Sequence, residues 1–83
     1  MSKQLIANNL RKFRFLENEM TQVELAKIVG VTRQTIIALE AGRYTPTLEL
    51  ALKLSTVFGT TINEVFFWAD EENAIRLYRN KNE

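Results

Sequence analysis

The stretch that decides the fold is Thr21–Gly42, TQVELAKIVGVTRQTIIALEAG. It holds two helix starts and two helix stops. Thr21 and Glu24 have the spacing of a capping box, in which the hydroxyl accepts from the Glu24 amide and the carboxylate reaches back to the Thr21 amide. Met20 and Leu25 flank that box at hydrophobic-staple spacing. Leu25, Ala26, Ile28 and Val29 carry the helix to Gly30, and glycine suits the left-handed residue that ends a helix. Thr32 can cap the next helix, with Val31 and Ile36 again at staple spacing, and that helix runs to Gly42. Only Gly30, Val31 and Thr32 separate the two helices. A turn that short forces them to cross steeply, as in a helix-turn-helix unit.

In such a unit the first helix braces on the DNA backbone, and the second lies in the major groove with its N-terminal residues against base edges. Turning the second helix by roughly 100° per residue puts Ile36 and Leu39 on one side, with Glu40 beside them. Gln34, Ala38 and Ala41 face the other way. Arg33 and Ile37 lie on one flank and Thr35 on the other. One amide, one guanidinium and small residues suit a groove: Gln can pair with adenine N6 and N7, and Arg with guanine O6 and N7 or with a phosphate. Taken alone, the polar first turn also fits an ordinary helix start. Ile37 fits either contact with a thymine methyl or partial burial against neighbouring helices.

Outward from this pair, start and stop signals continue. Asn8 can cap a first helix reaching about Glu17, with Leu10, Phe13 and Leu16 on one side. Thr47 can cap a fourth helix, Leu48 to Phe58, whose inner side is Leu48, Ala51, Leu52, Leu54 and Ser55; Gly59 stops it. TINE at Thr61–Glu64 has capping-box spacing and opens a short fifth helix through Ile62, Val65 and Phe66. The apolar stretches Leu5-Ile6-Ala7 and Phe67-Trp68 can pair as a small two-stranded ribbon. AIRLYR at Ala74–Arg79 alternates weakly and reads equally well as a helix. The expectation is an all-α fold of five helices with short connections, the ribbon at its chain ends, a body over residues 1–69 and a polar tail over 70–83.

Eighty-three residues with 46% hydrophobic content make one small globular domain. The net charge of +1 does not announce a nucleic-acid partner, but it is unevenly placed. Residues 1–67 hold 8 Lys/Arg against 6 Asp/Glu, while residues 68–83 hold 3 against 4. The chain has neither Cys nor His, which removes thiol and Ser-His catalysis, disulfides and the usual zinc sites. No nucleophile–base set or phosphate loop is present, so no catalytic residue, metal or cofactor is expected and the chain does not read as an enzyme. No apolar run approaches the roughly 20 residues of a membrane span, and no signal peptide is evident. A cytoplasmic protein is the simplest reading.

The blocks LRKFR, MTQVELAKIVGVTRQTIIALEAGRYTP, LELALKLSTVFG and INEVF, in this order from Leu10 to Phe66, resemble the Cro/repressor-type (XRE) helix-turn-helix family of DNA-binding transcriptional regulators. The resemblance implies a lambda-repressor-like domain and sequence-specific binding of double-stranded DNA. It implies that Arg33, Gln34 and Ala38 occupy the main base-reading positions, and that Thr32 and Thr35 stand where backbone or base contacts are common. Gln22 matches a glutamine that contacts a phosphate and buttresses the third helix. Arg43 matches a loop position that reaches phosphate, with Tyr44 beside it either there or in packing. Arg14 and Glu40 match a pair that joins the first helix to the end of the third, provided that the ENEM turn holds one extra residue. Ala41 departs from the family, which often has Asn there.

One short helix reads few base pairs, so a domain of this size is expected to act as a two-fold homodimer on a near-palindromic operator. Phe66, Phe67 and Trp68 cannot all face one core, which places Phe67 and Trp68 at a subunit interface. The resemblance points the same way, since small members dimerise through this end. The expected function is a dimeric regulator, read as a repressor. The alternative is an antitoxin-type DNA-binding protein whose tail, Trp68–Glu83, holds a toxin.

Overall fold

A computed structural model describes residues 5–79. The outer ends of the expected body and tail, residues 1–4 and 80–83, lie outside the described residues. In chain order the elements are β1 (Ile6–Asn8), α1 (Leu10–Leu16), α2 (Gln22–Val29), α3 (Arg33–Glu40), α4 (Leu48–Val57), α5 (Ile62–Val65), β2 (Phe66–Trp68) and α6 (Glu71–Tyr78). The described residues therefore hold six helices where five were expected. The weakly alternating Ala74–Arg79 stretch belongs to the sixth, opened by Asp70, whose side chain accepts from the Asn73 amide.

The caps around the central pair form as their spacing predicts. Thr21 Oγ1 accepts from Glu24 N at 3.0 Å and Thr21 N donates to Glu24 Oε1 at 2.8 Å. Gly30 ends α2 at φ 78°. Thr32 and Thr47 cap α3 and α4 by accepting from Thr35 N and Leu50 N. Gly42, at φ 75°, closes α3. Its N–H donates to Leu39 O while Arg43 N donates to Ala38 O, the paired bonds of a Schellman end.

Four local expectations are corrected. The residue that caps α1 is Asn9 and not Asn8, and its side chain makes no cap bond. Asn8 instead ends β1: its Oδ1 accepts from Leu10 N and its Nδ2 donates to Leu39 O at 2.9 Å. Leu16, the last residue of α1, is 65% exposed and lies off the side that Leu10 and Phe13 present to the core. On α4 the inner side is Leu50, Ala51, Leu54 and Ser55, while Leu48 and Leu52 point outward. At α5 the TINE box does not form; Thr61 makes no side-chain cap bond, and its carbonyl accepts from Glu64 N instead.

Leu10, Leu25, Ala26, Val29, Ile36, Leu39, Leu50, Leu54 and Val65 form one buried cluster, so every helix from α1 to α5 contributes. Phe13 and Phe58 stack against its edge at 5.5 Å. The buried Ser55 hydroxyl is satisfied by Ala51 O and Leu52 O. β1 and β2 pair antiparallel, Ile6 with Trp68, Ala7 with Phe67 and Asn8 with Phe66. The ribbon continues beyond the paired residues, since Ala69 N donates to Leu5 O at 2.8 Å. α6 packs back on it through Trp68 and Tyr78, whose rings stack at 5.8 Å.

Candidate nucleic-acid interface

The packing of α3 against α2 follows from two local choices. The left-handed Gly30 turns the chain within one residue, and the caps at Thr21 and Thr32 fix where each helix begins. Ile36 and Leu39 then anchor α3 in the core. What remains outward is a face on which Arg33 and Gln34 are exposed and Thr35, Ile37 and Ala38 half-buried. Ala41 is also exposed. Ile37 is half-buried, so part of its side chain stays accessible. Thr32 spends its hydroxyl on the cap, 3.2 Å from the hydroxyl of Thr35, so Thr35 has the freer oxygen of the two.

A polar cluster fixes how α3 sits relative to α1 and α2. Arg14 Nε and Nη2 donate to Glu40 Oε2 and Oε1 at 2.6 and 3.1 Å, a bidentate fork that holds the carboxylate in one plane. Arg14 Nη1 donates to Met20 O at 2.8 Å. Gln22 Nε2 donates to Glu40 Oε1 at 3.0 Å. Arg14 and Glu40 are largely buried, with 14% and 11% of their side chains exposed. The start of α2 is thereby tied to the end of α3. An amide nitrogen carries two protons; one goes to Glu40, which leaves Gln22 another that it can donate.

The ENEM turn makes this reach possible. Asn18 and Glu19 are consecutive left-handed residues, φ 57° and 54°. Met20 N returns to Arg14 O at 2.8 Å, so the turn accommodates its length while Arg14 stays opposite Glu40. Asn8 adds a second brace, since its bond to Leu39 O links the ribbon to the last turn of α3. That role was not legible in the sequence, where Asn8 resembles a cap.

Past Gly42, Arg43 and Tyr44 are both exposed in the α3–α4 loop. They face a cleft shared with Trp68 and Tyr78, so the loop lies beside the ribbon and α6. Phe67 and Trp68 are 41% and 42% exposed. The described residues hold no group of His, Cys, Asp and Glu able to grip a metal. No helix among them is long and apolar enough to cross a membrane.

The sequence that builds this geometry is similar to those of known proteins. The helix-turn-helix family model matches residues 10–65. An uncharacterized HTH-type transcriptional regulator of Methanocaldococcus jannaschii is 49% identical over 65 residues, which cover 78% of this chain and 97% of the relative. The regulator YgzD of Bacillus subtilis is 49% identical over 53 residues, 64% of this chain and 79% of YgzD. The transcriptional repressor RstR of a cryptic phage in Vibrio cholerae is 33% identical over 61 residues, 74% of this chain and 54% of RstR. The chain belongs to the XRE-type helix-turn-helix family of DNA-binding transcriptional regulators, which is not a family of enzymes.

Proposed function

We propose that the protein is a cytoplasmic repressor that binds a near-palindromic operator as a homodimer, with α3 in the major groove. One observation carries this reading. α3 is anchored by Ile36 and Leu39 and braced by the Arg14–Glu40–Gln22 cluster, while Arg33 and Gln34 stand exposed at its first turn. In this reading Gln34 and Arg33 bond base edges. Ala38 and the half-exposed Ile37 approach thymine methyls, and Thr35 and Thr32 lie near the strand. Gln22, Arg43 and Tyr44 hold phosphates. Repression needs nothing more than occupancy of a promoter, and the likeness to a phage repressor supports that sign of regulation.

Residues 1–69 form the DNA-binding and dimerising body in this reading, and residues 70–83 an appended tail of which α6 is the described part. The dimer surface includes Phe67 and Trp68, whose exposed apolar area lies on the ribbon. The antitoxin alternative draws on α6, where Ile75, Leu77 and Tyr78 are each more than a third exposed. Selection of bound sites from a random DNA pool, with sedimentation of the same sample, tests the proposal. A two-fold consensus with half-sites about one helical turn apart, bound by a dimer, is expected. Enrichment of no sequence by the protein alone would overturn specific binding by the homodimer and favour the antitoxin reading.

A further inference from the structure

We propose that Arg11, on the outer side of α1, is a DNA-phosphate contact, so that the interface extends from the helix-turn-helix onto the first helix. The inference rests on the proposed placement of α3 in the major groove. Arg11 and Arg14 are three residues apart and share one face of α1. Arg14 turns inward and is consumed by Glu40 and Met20. Arg11 stays exposed and lines the same open cleft as Gln22 and Arg33, between α1 and the starts of α2 and α3. No ion pair within 4.0 Å holds it among the described residues.

The charges facing that cleft decide what it can take. Glu40 is neutralised by Arg14 and further engaged by Gln22. Glu19 is the remaining carboxylate at its rim, against the guanidinium groups of Arg11 and Arg33. The balance favours an anion. The α3 placement supplies the occupant: the strand that borders the groove passes the starts of α2 and α3, and its phosphate can sit between Arg11 and Gln22. With Arg11 neutralising that phosphate, Arg33, which also lines the cleft, is left to the base edges. Arg11 then adds affinity for all sequences and Arg33 adds discrimination.

The test is the salt dependence of binding to the selected operator and to an unrelated duplex, for wild type, Arg11→Ala, Arg11→Lys and Lys53→Ala. Lys53 serves as the control because it pairs with Glu49 on α4, away from the cleft. Arg11→Ala should weaken both duplexes by the same factor. It should lower the slope of log K against log salt by about 0.9 per subunit, or about 1.8 for a dimer. Arg11→Lys should keep most of the slope, and Lys53→Ala all of it. An unchanged slope in Arg11→Ala, with an unchanged melting curve, would remove Arg11 from the interface. If Arg33→Ala and Gln34→Ala left sequence preference intact, the placement of α3 would fail instead, whatever Arg11 did.

Discussion

At the residue scale, the proposed reading gives the discriminating work to Gln34 and Arg33. Both are exposed, and neither belongs to the cluster that positions α3. Gln34→Ala is expected to leave folding intact and to cost about 1–3 kcal/mol at one position of the site, with preference relaxed there. Competition binding against a panel of operators with single base changes measures this, and an unaltered ranking would place Gln34 outside the readout. Gln22 has a different status, because one of its two amide protons is committed to Glu40. Its substitution is expected to disturb both the proposed phosphate contact and the brace between α2 and α3. The sequence could not reveal that Asn8 belongs to the same support. A cap and a strand-end brace call for the same short amide, and only the approach of the ribbon to Leu39 distinguishes them.

At the element scale, the helix starts were legible wherever a hydroxyl stood before an apolar-periodic run, as at Thr21, Thr32 and Thr47. Thr61 has the same signature and fails to cap, since α5 is a single turn that runs straight into β2. A short helix held by Val65 in the core gains little from a cap. Inner faces were less legible than starts. Leu48 and Leu52 match the apolar stripe of α4 as well as Leu50 does, but neighbouring helices cover only the Leu50 side. α3 needs outside support, since it is eight residues long with no basic side chain in its last turn. Isolated helices of that length are marginal. Glu40→Ala should therefore destabilise the fold by about 3 kcal/mol, because it strands the largely buried Arg14. Urea unfolding measures the loss, and a change under about 1 kcal/mol would mean that Arg14 finds water instead.

At the scale of the whole molecule, the proposed dimer rests on the chain ends. In the proposed reading one α3 covers only a few base pairs, and a second copy supplies the rest of the specificity. The ribbon offers Phe67 and Trp68 for that contact. Trp68→Ala should move the sedimentation profile toward monomer and weaken operator binding in parallel, whereas an intact dimer would shift the interface to another face. The region beyond residue 65, where the family match ends, was the least legible part. Residues 71–78 are polar on average, and their helix is fixed by the Asp70 cap and by docking on the ribbon. Neither is visible as periodicity alone.

The chain contains a single tryptophan, and it lies on the ribbon against Tyr78. The molecule thus carries its own optical label at the surface proposed for subunit contact. Selective excitation of that indole would follow assembly by emission and anisotropy in unmodified protein, with no second indole adding background. Titration with DNA could be watched in the same cuvette, and a spectral change that tracked protein concentration in the absence of DNA would separate pairing of subunits from capture of the operator.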